Sequence, residues 1–363
     1  MTDKSTQTTL ITAANKRVDS LTRDLIGRVR QDSGTLRMLI ILLLAFAFFT
    51  YLQPRIFLNP VNIQNIMISS PEIGIIALAM MLAMLTGGID LSIVAIANLS
   101  AITITTLYSS LMATNPNQAQ ELMPLILLLG LLVGLLGGLF NGFLISILGI
   151  TPILATLGSM QIFNGLAIVW TGGKTLYGAP AELAAFGKVV VLGMPTLFIA
   201  FLILAVLIGI ALNRTSLGKK TQLLGTNLTA ATYSGISSRQ VLLSTYLATG
   251  FLGGLAGILF TARNPTASAD YGNSYILLAI VIVVLGGTNP NGGFASVFGV
   301  VLATLTLQIV ASGFNAIRLS AYEYGIAQGV ILILVMISAQ ISVKHKSKKG
   351  SKIFGFFKRK AGV

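Results

Sequence analysis

Along the chain, long apolar runs alternate with short polar breaks. Windows of about 20 apolar residues, the length a helix needs to cross the ~30 Å hydrocarbon core, fall near 37–53, 62–86, 90–112, 122–148, 152–170, 189–212, 240–261, 274–286, 293–313 and 322–342. The pattern predicts an all-α polytopic membrane protein of about ten transmembrane helices. Three segments follow: a polar N-terminal stretch at 1–36, a membrane domain at 37–342 with one long polar loop at about 213–239, and a basic tail at 343–363.

Composition agrees with this reading. Apolar residues make up 54% of the 363 and charged ones 9%, against roughly 25% charged in an ordinary soluble domain. Between Arg55 and Lys174 the only charged side chains are Glu72, Asp90 and Glu121, so that stretch crosses lipid several times at tolerable desolvation cost. The formal charge of +14 comes from 24 Lys and Arg against 10 Asp and Glu, and its distribution points to membrane topology rather than nucleic acid. Seven basic residues lie up to Arg37, four between Asn213 and Arg239, and eight after Ser342, leaving Arg55, Lys174, Lys188, Arg263 and Arg318 for the other face. The positive-inside rule then puts both termini and the 213–239 loop in the cytoplasm. The N-terminus lacks the short charged region, apolar stretch and cleavage site of a signal peptide, so the first span is expected to act as its own signal. The basic tail is expected to lie on anionic lipid headgroups.

Chemistry-bearing residues are few. The chain has no Cys and one His, His345, in the Lys-rich tail, which leaves no thiol chemistry and no histidine cluster for a metal or a proton relay. No catalytic or metal-binding residues are expected. Glycine carries more information. Gly130, Gly134, Gly138 and Gly142 recur every four residues, as do Gly250 with Gly254 and Gly253 with Gly257, the small-residue spacing that lets membrane helices approach closely. Two other clusters interrupt apolar runs: Thr86-Gly87-Gly88-Ile89-Asp90, and Gly286-Gly287-Thr288-Asn289-Pro290-Asn291-Gly292-Gly293. The run before the second is too short to span. Interrupted spans in two halves point to an internal pseudo-repeat and to a transport pathway.

The 213–239 loop is too polar to cross the membrane, yet Leu217, Leu223, Leu224, Ala230, Ala231 and Ile236 are too orderly for a slack linker. A short amphipathic helix, with Gly225 and Gly235 allowing sharp turns at its ends, is expected to fit a groove on a soluble partner.

At these residues the chain resembles a known family. Leu224-Gly225-Thr226-Asn227, Ala230-Ala231 and Ser234-Gly235-Ile236 are similar to the cytoplasmic coupling motif in the membrane subunits of ribose, galactose, xylose and autoinducer-2 ATP-binding-cassette (ABC) importers. Gly88-Ile89-Asp90-Leu91-Ser92, Phe140-Asn141-Gly142, Ile153 to Gly158, Trp170 to Lys174 and Leu285 to Thr288 with Gly292-Gly293 agree in the same order. The resemblance implies a permease subunit in the bacterial inner membrane that moves a simple sugar or similar small polar solute. Its implied partners are ABC ATPase subunits carrying ATP and Mg, a second permease subunit, identical or different, and a periplasmic binding protein. The coupling contacts would come from Leu217, Gly218, Gly225, Asn227, Ala230, Ala231, Ser234, Gly235 and Ile236. The residues themselves support the separate ATPase: the Gly173-Lys174-Thr175 triplet has Ile168 where a phosphate-binding loop needs its first glycine.

Polar residues inside spans are candidates for the pathway. Asp90 is either a pathway acid or a carboxylate capping the third span. Asn98, Asn141, Gln161, Asn164, Asn289, Gln308 and Asn315 carry donors and acceptors that suit a sugar hydroxyl and equally a neighbouring helix. So few intramembrane charges favour a neutral solute. The rival readings are a permease for a nucleoside or branched-chain amino acid, an ion-coupled carrier in which only Asp90 could serve, and a membrane enzyme that would lack its histidine.

Overall fold

Apolar runs become helices in the computed structural model, which describes residues 33–318 and, beyond them, Glu323, Gly325, Ile326, Gly329, Val330 and Ile333. The expected N-terminal segment as far as residue 32, most of the tenth span at 322–342 and the tail at 343–363, with His345, lie outside the described residues. In chain order the helices are α1 (Ser33–Leu52), α2 (Pro54–Phe57), α3 (Pro60–Leu85), α4 (Ile93–Thr114), α5 (Pro116–Glu121), α6 (Met123–Ser146), α7 (Pro152–Thr171), α8 (Ala181–Lys188), α9 (Thr196–Arg214), α10 (Ser216–Thr226), α11 (Leu228–Tyr233), α12 (Ser238–Arg263), α13 (Tyr275–Leu285) and α14 (Val297–Ala316). Among the described residues eight of them, α1, α3, α4, α6, α7, α9, α12 and α14, are long and apolar enough to cross a membrane. The chain is a polytopic, all-α membrane protein.

Helix ends follow local chemistry. Asn59, Asn115, Thr215, Asn227, Ser237 and Ser296 cap α3, α5, α10, α11, α12 and α14 by accepting a backbone N–H two or three residues on. Pro60, Pro116 and Pro152 stand in the first turn, where a missing N–H costs nothing. Among the described residues the first membrane-capable stretch is Thr35–Leu52, and one expected limit moves. The run expected from 189 starts its helix only at Thr196, because Val190–Val191 and Met194–Pro195 form a small hairpin, β2 with β3, around Leu192 and Gly193. Both central residues have positive φ, 53° and 80°, the backbone a tight primed turn requires. A second short pair joins β1 (Leu176–Tyr177) to β4 (Thr266–Ala267).

α3 runs through the centre, packed against α9, α12, α13 and α14, and buries Ile76, Leu78, Met80 and Met81 completely or nearly so. Lipid is as apolar as these side chains, so their close packing stabilises by dispersion rather than by escape from water. The glycine stripes act as their spacing predicts. A side chain at Gly134 or Gly138 would run into the backbone of Gly250 and Gly254, and one at Gly257 into the Ala97 carbonyl and Ser100. α6 and α12 therefore meet backbone to backbone, and α12 turns its second stripe to α4.

Candidate functional site

Three polar assemblies stand out from this apolar frame. The first lies where α3 stops. After Leu85 the chain turns through Thr86 and Gly87, at φ 81°, with Thr86 and Gly87 donating to the carbonyls of Ala83 and Met84. α13, of 11 residues, is about 16 Å long and short of the hydrocarbon core; it stops in the same way at Gly286 and Gly287. Beyond it Asn289 organises the loop, its Nδ2 donating to the Gly292 carbonyl at 2.9 Å and its Oδ1 accepting from Asn291 at 3.1 Å. The two breaks touch, since the Gly293 N–H donates to the Leu85 carbonyl at 3.0 Å.

The cytoplasmic element expected at 213–239 docks on this junction. It consists of two helices, α10 and α11, rather than one, and the turn between them falls at Asn227, whose side chain accepts from Ala230 at 2.9 Å. Gly225, expected to make a turn, instead lies within α10. A side chain there would collide with the Leu85 carbonyl and the Gly293 nitrogen, and one at Gly292 with the Gly225 carbonyl and the Gly87 nitrogen. Both interrupted spans thus meet α10 at one glycine. Gly235, at φ 79°, does make the turn after α11. Of the other expected coupling residues, Gly218 and Ala231 are buried inside the chain, and Ala231 packs with Leu224 against Val241. The exposed apolar side chains are Leu217, Leu223, Leu228 and Tyr233, the last 90% exposed. Tyr233 went unnoticed in the sequence because an aromatic residue carries no directional signal without the helix phase.

The second assembly surrounds Asp90, which is fully buried. Its Oδ1 accepts from the Ser92 N–H at 3.0 Å and the Ser92 hydroxyl at 2.7 Å, and its Oδ2 from the Thr249 hydroxyl at 2.7 Å. Asn141 Nδ2 donates to Ser92 Oγ at 2.7 Å, and the Leu91 N–H donates to Thr156 Oγ1 at 3.2 Å. Asp90 and Asn141 are therefore brought together, at the start of α4, where α6, α7 and α12 converge. Every hydrogen-bond partner of Asp90 is neutral. Two neighbours, the Tyr246 hydroxyl and Asn141 Oδ1, are buried without a partner among the described residues.

The third assembly lies at the middle of α3. Glu72, thirteen residues before Leu85 and so about 20 Å away along the helix, pairs with Arg263 at the end of α12. Arg263 also donates to Ser69 Oγ at 3.0 Å, Tyr271 donates to Glu72 at 3.0 Å and Tyr275 at 3.5 Å, and Asn264 Nδ2 donates to the Tyr271 hydroxyl at 2.6 Å. Burial, and then the Glu72 charge, push the Tyr271 phenol above its ordinary range, so it remains a donor. The charge distribution assigns Arg263 to the outer face, but nothing in the sequence pairs it with Glu72, which lies at the middle of α3 while Arg263 ends α12.

The remaining candidates are dispersed. Asn98 Nδ2 donates to the carbonyls of Ala269 and Tyr271 at 2.8 and 2.9 Å, holding the α12–α13 loop on α4. Gln308 donates to the Ser69 carbonyl at 3.3 Å. Asn315 is exposed at the end of α14. Gln161 is exposed on α7 and Asn164 half-buried beside it, its Oδ1 without a partner among the described residues. Among the described residues no three His, Cys, Asp or Glu gather where a metal could bind.

Comparison with known proteins adds the context. Residues 62–336 match the family described as branched-chain amino acid transport system / permease component. The ribose import permease protein RbsC of Bacillus subtilis (strain 168) is 35% identical over 283 residues, 77% of this chain and 85% of that protein. The D-allose transport system permease protein AlsC of Escherichia coli (strain K12) is 32% identical, covering 81% and 87%. The autoinducer 2 import system permease protein LsrD of Salmonella typhimurium is 29% identical, covering 86% and 93%. No solved structure matches the chain significantly.

Proposed function

The chain belongs to the branched-chain amino acid transport system / permease component family, and from that premise we propose that it is the permease subunit of an ABC importer for a simple sugar or similar small polar solute. The relatives named for ribose, allose and autoinducer 2 support this solute class over an amino acid. The observation that carries the mechanism is the meeting of α10 with both helix breaks at Gly225. A cytoplasmic ATPase gripping Leu223, Leu228 and Tyr233 on the exposed side of α10 and α11 would move α10 as a lever. Gly225 leaves no side chain to cushion that motion from Leu85 and Gly293. The ends of α3 and α13 then move together.

In this account both termini and α10–α11 face the cytoplasm of a bacterial inner membrane, and ATP with Mg is held by the partner chain. The pathway runs along the exposed side of α7. Gln161 sits there, and a side chain at Gly158 or Gly165 would meet open space. An exposed amide at membrane depth is costly against lipid and suits a water-filled path closed by a second permease subunit. Thr156, bonded to the Ile89 carbonyl and the Leu91 N–H, positions α7, while Asp90 and Ser92 tie the start of α4 to α12 and α6 rather than touch solute. A periplasmic binding protein delivers the solute to the end bearing Arg263.

To test this, the tagged full chain is extracted in mild detergent, its co-purifying proteins are identified, and vesicles containing the complex and its binding protein are assayed for uptake of labelled ribose, allose and leucine. A co-purifying P-loop ATPase and ATP-dependent uptake of a sugar are expected. Isolation of the chain alone in several mild detergents, with uptake following a proton or sodium gradient, would overturn the proposal.

A further inference from the structure

A groove of about 310 Å³ opens between α9, α10 and α12, with Leu82 of α3 in its wall. It is lined by none of the residues of the Asp90 and Glu72 assemblies, nor by Gly225. Leu204, Ile208, Phe251 and Leu252 make it apolar. Its hydroxyls do not change that. Thr215, Thr221, Ser244 and Thr245 each donate back into their own chain segment, to the carbonyls of Ala211, Leu217, Gln240 and Val241 at 2.6–2.9 Å. With its hydroxyl protons already used, the groove offers a sugar little to bind but receives a hydrocarbon chain well.

The segment that builds the α9 and α10 walls is basic. Arg214 and Lys220 are exposed, and each adjoins a wall residue in sequence, Thr215 or Thr221. No Asp or Glu occurs anywhere between Glu182 and Asp270, so α9, α10, α11 and α12 carry no opposing charge. An apolar slot between membrane helices, in a segment of net positive charge, is complementary to one kind of molecule: an acyl chain bearing a negative headgroup. We infer that the groove seats one acyl chain of an anionic phospholipid, with Arg214 and Lys220 holding its phosphate. The lipid then lies against α10, whose Gly218 is already pressed onto the carbonyls of Ala211 and Leu212, so membrane composition sets how firmly α10 is seated. The inference does not depend on the transport reading.

The test is native mass spectrometry of the full chain, purified from membranes containing phosphatidylglycerol and phosphatidylethanolamine and then progressively delipidated. The chain is expected to retain one phosphatidylglycerol. Arg214→Gln with Lys220→Gln should weaken that retention about tenfold or more, and Ala211→Trp, which fills the groove without touching a charge, should abolish it. Ala248→Phe fills it from α12 should the first variant fail to fold. Equal retention of phosphatidylethanolamine, or unchanged phosphatidylglycerol in the filled variants, would overturn the inference. A disulfide-linked dimer of Leu207→Cys would overturn it too, since the chain has no other Cys and the groove would then be covered by a second copy.

Discussion

The protein buries two carboxylates, one at the middle of α3 and one just beyond its C-terminal end, and satisfies them in opposite ways. Glu72 faces a guanidinium and two phenols contributed by α12, α13 and the loop between them. Asp90 faces two hydroxyls and one N–H, all neutral. An ion pair in a low-dielectric setting is costly to break on one side, because the partner charge is left buried. A hydrogen-bonded carboxylate at the start of α4 is held by many weaker contacts and by the helix dipole. The Glu72 assembly is therefore an ion pair reinforced by two phenols, and it joins distant segments. The Asp90 assembly, beside the junction on which α10 docks, is held by neutral hydrogen bonds.

Breaking the Glu72–Arg263 pair should have the largest effect on stability. Glu72→Ala leaves Arg263 without its carboxylate and is expected to cost about 3 kcal/mol, read as a lower thermal midpoint in detergent. The double variant Glu72→Gln with Arg263→Gln should lose less than Glu72→Ala alone. Next comes the Asp90 set. Asp90→Asn keeps the shape but weakens its acceptors, at about 1–2 kcal/mol, and Thr249→Val, removing one contact, costs about 1 kcal/mol; equal losses at Asp90 and Glu72 would erase the distinction drawn between them. The smallest effect belongs to Tyr271→Phe, at about 1 kcal/mol or less. It also carries a pH signature. Because the folded state raises the Tyr271 phenol, its contribution is whole below about pH 10 and declines as pH rises above that value. The variant should show a shallower loss of stability in alkaline titration.

Much of the frame was legible in the sequence. Spans are periodic and long, and the glycine stripes on α6 and α12 encode close approach directly, since a missing side chain at every fourth residue has one structural use in a membrane. The family resemblance rested on short ordered motifs, and the similarity found over most of the chain agrees with it. What was not legible depends on pairing across distance. Glu72 and Arg263 are 191 residues apart, and nothing local to either specifies the other. Gly225 looked like a turn residue because glycine permits turns; within α10 it serves close contact instead, a use that shows only when Leu85 and Gly293 are in place. Leu224 and Ala231 looked available to a partner, but helix phase turns them inward and leaves Tyr233 outward. The 190–195 hairpin escaped notice because an apolar run reads the same whether it enters a helix or turns back first.

The central claim is that α10 drives both helix breaks through Gly225, and it is tested most directly by reconstituting Gly225→Val with its ATPase and binding protein, then measuring hydrolysis and uptake in the same vesicles. The account predicts an assembled complex whose ATP hydrolysis persists while solute uptake falls at least tenfold. Uptake and hydrolysis that keep their normal ratio in an intact, correctly inserted variant would contradict it.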